Sequence, residues 1–131
     1  MTLLNIADML ADVLGFEDVY AGNIDANKER CLGVYNAKTN GAKRICLGGK
    51  SCTRTLEKRF SILIHWTDNP TTAEQKALEV SDLLADVKIY EGNGFTVNFI
   101  TANEPIPVGR DERGVCEYVI EGTIYYERKD E

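Results

Sequence analysis

The amino-acid sequence predicts an α+β fold: two amphipathic helices packed on one face of a mainly antiparallel β-sheet of about four to five strands, with a long hairpin. Three observations support this prediction. Residues 60–67 alternate between large apolar side chains and mostly polar ones, the period of two that is typical of a strand. Two other stretches repeat apolar residues every three or four positions, as amphipathic helices do. Asn-Gly pairs at residues 40–41 and 93–94 indicate tight turns.

Composition indicates an ordinary folded protein. With 131 residues, 44% of them hydrophobic and 27% charged, the chain is expected to form one domain over residues 1–131 with a sizeable core. No apolar run reaches the roughly 18 residues that a membrane-spanning helix needs. The first residues contain acids and no basic region, so we expect no signal peptide and no membrane association.

The N-terminal half predicts a helix, a short strand and a hairpin. The first helix has its apolar stripe at Leu3, Ile6, Leu10, Val13 and Leu14, begins after Thr2 and ends at Gly15. Residues 16–20 lead into a short strand. Residues 31–38 and 42–48 are the predicted arms of the hairpin. Residues 58–67 follow as the central strand.

The C-terminal half predicts a second helix and two further strands. That helix begins at Pro70, with an apolar stripe at Ala73, Ala77, Val80, Leu84 and Val87. A strand at residues 95–100 should place Phe95, Val97 and Phe99 on one face. Residues 103–109, with two prolines, are expected to be an extended loop outside the ladder. Residues 110–114 form a charged turn before the last strand, 115–128, where Gly122 indicates a bulge or a bend. The predicted core is Leu10, Val13, Ile62, Ile64, Trp66, Val80, Leu84, Val97, Phe99, Ile120 and Ile124.

No catalytic, cofactor-binding or metal-binding residue is predicted. The four cysteines form no Cys-x-x-Cys pair, so we expect reduced, structural thiols and no zinc site. His65, the single histidine, is interpreted as a half-buried strand residue with satisfied hydrogen bonds. A nucleophilic pair of His65 with Cys46, Cys52 or Cys116 stays open, although no spacing specifies it.

Charge is divided unevenly along the chain. Between Lys38 and Arg59 there are seven basic residues and one acid, a balance of +6, whereas the remainder carries −12 and the whole chain −6. A nucleic-acid reader usually has a basic footprint that this chain lacks as a whole. Two interpretations of the basic segment remain: a solvated hairpin, or a basic arm that contacts the acidic body of another copy.

The C-terminal third carries a resemblance to a known family. Residues 105–114 contain a Gly-x-Asp-x-x-Gly turn, from Gly109 to Gly114, that runs into a tyrosine-rich final strand ending near Tyr126. This resembles the end of bacteriophage tail-terminator proteins. Gly33-Val-Tyr-Asn, Arg44-Ile-Cys-Leu-Gly-Gly and Phe60-Ser-Ile-Leu-Ile-His-Trp are similar to pieces of the phage minor capsid proteins of this size. Cys116 is a small departure from the pattern.

The resemblance implies a structural role in the virion and no enzymatic activity or cofactor. Such proteins form a ring, commonly a hexamer, on the last ring of the tail tube; they stop tube growth and present a surface for head–tail joining, while DNA passes through the lumen without specific binding. Expected partners are further copies of the chain, the tail tube protein and head–tail connector proteins. Assembly is expected in the host cytoplasm. Alternatives are another head–tail connector or capsid-associated adaptor, or a small cysteine-dependent enzyme. Candidate contact residues are Lys43, Arg44, Lys50, Arg54, Arg110, Asp111, Glu112 and Arg113.

Overall fold

A computed structural model describes residues 1–16, 18–24, 30–37, 55–92 and 94–128. Within these ranges the chain forms two helices and seven strands. The elements, in chain order, are α1 (Leu3–Leu14), β1 (Val19–Ala21), β2 (Cys31–Asn36), β3 (Thr55–His65), α2 (Pro70–Asp86), β4 (Lys88–Glu91), β5 (Phe95–Ala102), β6 (Ile106–Arg110) and β7 (Cys116–Arg128). No helix in the described part of the chain is long and apolar enough to cross a membrane.

The seven strands form one mixed sheet in the order β1-β2-β3-β7-β5-β4, with β6 also paired to β7. β1 runs parallel to β2, and the remaining pairs are antiparallel. The α+β class and the two helices are confirmed, but four to five strands were too few: the described sheet has seven, and it is mixed because the pair of β1 and β2 is parallel. β1 and β4 have three and four residues, too few to show a period of two.

The capping residues predict the start of both helices and the C-terminal end of α1. In α1, the Thr2 side chain accepts from the Asn5 amide, and the Asn5 side chain accepts from the Thr2 amide. Gly15 then ends the helix in a left-handed conformation, with φ of 66°. In α2, the Asn69 side chain accepts from the amides of residues 71 and 72, with Pro70 at the first helical position.

The core lies between the helices and the centre of the sheet. β3 is flanked by β2 and β7, and its Phe60, Ile62 and Ile64 are fully buried, which confirms the predicted central strand. Both helices contribute their apolar stripes to the same cluster. Of the predicted core, nine residues are buried and Val13 is partly buried against them; the nine are Leu10, Ile62, Ile64, Trp66, Val80, Leu84, Val97, Ile120 and Ile124.

Phe99 is the exception, because the ladder between β5 and β7 is irregular. The register shifts by one residue between Val97 and Phe99, so the next inward side chain is Ile100. Phe99 is 45% exposed and stacks on Tyr125 with ring centroids 4.5 Å apart. The expectation that Phe99 shares the buried face of Phe95 and Val97 was therefore wrong.

The C-terminal ladder differs from the sequence prediction at one further segment, and the register shows no bulge at Gly122. The expected loop at 103–109 contains β6, which pairs with β7 although it includes Pro107. All five residues of β6 are exposed, and an edge strand can accommodate a proline because one side of its backbone needs no partner. Gly122 marks no register shift; it pairs with both Phe60 and Ala102, and a Cβ there would overlap the Thr101 carbonyl oxygen.

The predicted hairpin is described only in part. Its first arm is β2, which pairs with β3, whereas its second arm at 42–48 lies outside the described residues. The same holds for the candidate contact residues Lys43, Arg44, Lys50 and Arg54, and for Cys46 and Cys52.

Ile89 in β4 has a left-handed backbone, with φ of 54°, and is 73% exposed. A β-branched residue in this conformation is strained, whereas asparagine adopts it more readily. Ile89→Asn is therefore expected to raise the free energy of unfolding by about 0.5–1 kcal/mol, measured by urea denaturation. Ile106→Asn is the control, because Ile106 is similarly exposed but its φ is negative. Equal effects of the two substitutions would contradict the role of strain.

Candidate functional site

The turn at residues 111–115, which joins β6 to β7, is the most closely organised polar feature in the described chain. The amides of Arg113 and Val115 both donate to Oδ1 of Asp111, each over 2.9 Å. The Gly114 amide donates to the Asp111 carbonyl, and Gly114 has a φ of 84°. A left-handed glycine after such a turn lets the two strands close without strain. The predicted charged turn is confirmed.

A buried histidine, His65, is hydrogen-bonded to this turn from the interior of the fold. Nε2 of His65 lies 2.7 Å from Oδ2 of Asp111, and His65 is 1% exposed. Its Nδ1 lies 3.8 Å from Sγ of Cys31, on the neighbouring strand β2. The hydrogen bond from His65, followed by those from the Val115 and Arg113 amides, lowers the pKa of Asp111 below its ordinary range, although partial burial opposes this. The turn is therefore anchored through an ionised carboxylate.

Arg110 and Cys116 fix the two ends of the turn. The guanidinium of Arg110 donates to the carbonyl oxygens of Asp68 (3.0 Å) and Gly114 (2.8 Å). The Cys116 amide donates to the Thr67 carbonyl over 2.8 Å. Thus the turn is joined to the connection between β3 and α2 as well as to its own strands.

A thiol, an imidazole and a carboxylate follow one another as in a catalytic triad: Cys31, His65 and Asp111. They are not placed for catalysis. Cys31 is fully buried and His65 nearly so, which leaves no path for a substrate to the sulfur. The Cys116 thiol contacts the Asp68 carbonyl oxygen over 3.8 Å. Within the described ranges, no three His, Cys, Asp or Glu side chains gather as a metal site would require. The arrangement is suited to hold a turn in place.

Four of the predicted contact residues lie at this turn: Arg110, Asp111, Glu112 and Arg113. Glu112 and Arg113 are exposed at the tip, whereas the Asp111 carboxylate is directed inward to His65. The interpretation of His65 as a histidine with satisfied hydrogen bonds agrees with these contacts, although it is buried rather than half-buried. Its partner Asp111 could not be found from the sequence, because 46 residues separate the two and no local pattern links them.

The outward side of the helices is strongly acidic. Lys76 is the single basic residue in α1 and α2; it pairs with Glu79 over 3.4 Å and lies 4.7 Å from the centre of the Trp66 ring. We call the exposed acids of the two helices the acidic helical surface: Asp8, Asp12, Glu74, Glu79, Asp82 and Asp86. This surface is complementary in charge to residues 38–54, whose sequence has five basic residues and no acid.

The anchoring of the turn predicts an acid-dependent loss of stability. Because the pKa of Asp111 is lowered by folding, its contribution is fully present above the ordinary aspartate pKa of about 3.9 and disappears as the pH falls through the lowered value. Asp111→Asn should therefore be less stable than the wild type at pH 7, with a difference that shrinks towards about pH 2.

Urea unfolding at a series of pH values measures this difference. Glu112→Gln is the control, since it removes a charge from the same turn but keeps the Asp111 contacts. A difference between Asp111→Asn and the wild type that stays constant from pH 7 to pH 2 would argue against the ionised anchor.

Comparison with known proteins finds one matching family model and solved structures of similar fold. A family model described as "Bacteriophage tail terminator protein" matches residues 3–128. A solved structure described as "Virion of native gene transfer agent (GTA) particle" aligns over 95% of this chain and 89% of that chain, with 13% identity and a TM-score of 0.58. A second solved structure covers 98% of this chain and 90% of its own at 16% identity, with a TM-score of 0.49 that is too low to support an inference. No curated protein matches significantly.

Proposed function

Since the chain belongs to the bacteriophage tail terminator family, we propose that it forms a ring at the head-proximal end of the tail tube, where it ends tube growth and provides the surface for head–tail joining. The observation that carries this proposal is the family match, which extends over nearly the whole described chain. A structural role in the phage tail follows from the family; the ring, its position and its partners are the proposed part.

Charge complementarity within one chain supports assembly into a ring. The five cations of residues 38–54 and the acids of the acidic helical surface belong to different segments of the same chain. A contact between two different patches is head-to-tail, and head-to-tail contacts repeat until they close into a ring or continue as a filament. Opposite charges also steer copies together and disfavour wrong orientations.

We propose that Lys43, Arg44, Lys50 and Arg54 of one copy contact exposed acids of the next. Glu112 is an available partner because it is exposed at the tip of the turn. Asp111 is already hydrogen-bonded within its own chain, so the acidic helical surface supplies the other carboxylates.

The overall charge suits a channel for DNA. The chain carries −6, so a ring of copies has few cations free to bind phosphates once the basic segments contact their neighbours. Weak attraction to the phosphate backbone lets DNA pass through a lumen without being held there.

The test is the mass of the purified protein by light scattering, alone and then with assembled tail tubes. A ring-sized species, or binding of the protein to tube ends that halts their growth, is the expected result. A monomer that ignores tube ends overturns the proposal and favours a head–tail connector or capsid-associated adaptor of similar fold.

A further inference from the structure

We infer that His65 is a positioning residue for assembly: from inside the fold it fixes the turn at 111–115, so that Glu112 and Arg113 meet the next copy in a ready-formed shape. This inference rests on the proposed function for the identity of the partner. The role of His65 in shaping the turn stands on geometry alone, and it can be measured without any partner.

The geometry is a chain of hydrogen bonds from the interior to the surface. His65 reaches one oxygen of Asp111, and the other oxygen accepts the amides of Arg113 and Val115. His65 therefore fixes the orientation of the carboxylate on which both amides depend. The Asp111 side chain is one-fifth exposed, so water competes for it wherever the imidazole does not hold it.

Burial explains why a histidine can act in this way. Packing on all sides leaves His65 with little rotational freedom, and its Nδ1 is occupied by the Cys31 thiol. A group held by its surroundings loses little entropy when it makes a contact, so it positions its partner efficiently. The two hydrogen bonds of the Arg110 guanidinium brace the same turn from its other end.

The contact with Asp111 is kept in both protonation states of the imidazole. Nε2 carries a proton in the cation, and also in the neutral tautomer whose Nδ1 accepts from the Cys31 thiol. The ionisable groups facing His65 are Cys31 on β2, Asp111 in the turn and Glu117, its partner on β7. Burial raises the pKa of Glu117, while His65 partly offsets this. The turn is thus held while Asp111 is ionised, whichever form His65 takes.

What the turn presents is a preformed, charged tip. Glu112 and Arg113 are exposed, while Asp111 before them is hydrogen-bonded to the buried His65 and Gly114 after them donates to the Asp111 carbonyl. Such pre-organisation lowers the entropy lost on binding, because the loop need not order itself at the contact. Losing the anchor should therefore weaken assembly more than it weakens folding.

The experiment compares His65→Gln with His65→Asn, using NMR-detected hydrogen exchange of the Arg113 and Val115 amides in the full chain. The amide nitrogen of glutamine reaches the place of Nε2 and keeps the bond to Asp111, whereas that of asparagine reaches only the place of Nδ1. We expect exchange at both amides to be at least about tenfold faster in His65→Asn and within about threefold of wild type in His65→Gln. The single histidine also gives one set of imidazole ¹⁵N resonances, in which Nε2 should carry the proton that it donates to Asp111.

Assembly is then measured on the same variants by light scattering and tube-end binding. We expect His65→Asn to assemble at least about tenfold more weakly and His65→Gln to match the wild type. Should His65→Asn fail to fold, Asp111→Asn is the second variant: it keeps the side-chain oxygen that accepts from the two amides and replaces the oxygen that contacts His65, and it is expected to give the same two results.

Three outcomes separate the possible failures. Unchanged exchange of the two amides in His65→Asn, or in Asp111→Asn if His65→Asn does not fold, overturns the role of His65 in shaping the turn. Faster exchange with wild-type assembly overturns its role in positioning the contact. A wild-type protein that neither self-associates nor binds tube ends overturns the proposed function, and with it the identity of the partner, while the exchange rates still decide how the turn is held.

Discussion

The double substitution Lys43→Glu and Arg44→Glu is expected to weaken self-association on the order of tenfold to a hundredfold at low salt, while the monomer stays folded. Each exposed ion pair contributes about 0.2–1 kcal/mol, and reversing a charge replaces an attraction by a repulsion. Two such reversals act on the same contact, so their effects combine. Charged side chains are seldom buried in a hydrophobic core, so we expect the free energy of unfolding to change little.

Analytical ultracentrifugation in low salt and in about 0.5 M salt measures the effect, because screening should remove most of the difference. The matched control is Lys88→Glu with Arg128→Glu, which makes the same change in net charge at two exposed positions outside the basic segment. Equal weakening by both pairs would mean that net charge alone governs association. Unchanged association of the Lys43/Arg44 variant would refute the basic contact.

Gly122→Ala is expected to reduce the free energy of unfolding by about 2–4 kcal/mol, because the sheet has no space for a side chain at this position. Gly122 lies in β7 between β3 and β5, opposite Phe60 and Ala102. A methyl group there would overlap the Thr101 carbonyl oxygen and come within 2.8 Å of the Phe60 ring. The carbonyl is part of the ladder and Phe60 is fully buried, so neither can move without disturbing the core.

Gly33→Ala is the matched control, since Gly33 is also a strand glycine that is paired on both sides. Its Cβ would meet the side chains of Ile24 and Tyr35 at 2.6 and 2.8 Å, and the nearest backbone atom, the Gly22 carbonyl oxygen, lies farther away at 3.2 Å. Both side chains are partly exposed and can rotate away, so we expect a cost of about 1 kcal/mol or less. Urea denaturation of both variants measures the contrast, and similar costs would show that the Thr101 carbonyl yields more easily than expected.

Local patterns in the sequence were sufficient for the helices and the central strands. α1 and α2 each carry an apolar stripe at helical spacing together with residues that cap the ends, such as Thr2, Gly15 and Pro70. β3 and β7 are long enough for alternation to show, at 11 and 13 residues. These signals arise from residues close together in the chain, so no knowledge of the tertiary structure is needed to interpret them.

Irregularities in the sheet were not predictable in the same way. The outward position of Phe99 depends on a register shift that only pairing with β7 produces. Pro105 and Pro107 predict a loop, yet Pro107 fits in β6 because β6 lies at an edge, and edge position is a property of the assembled sheet. The direction and number of the short strands likewise depend on neighbours distant in sequence.

The sequence by itself therefore determined the α+β class, the helices, the long strands, the division of charge and the resemblance to tail terminators, since each depends on composition or on residues near one another. Only the tertiary structure decided that His65 contacts Asp111 and that the Cys31 thiol faces its Nδ1. It also decided that the Asp111 carboxylate is directed inward while Glu112 and Arg113 are exposed. These contacts join β2, β3 and the turn before β7, which come together only when the strands pair. Hydrogen bonds between residues so distant in the chain produce no periodic pattern in the sequence.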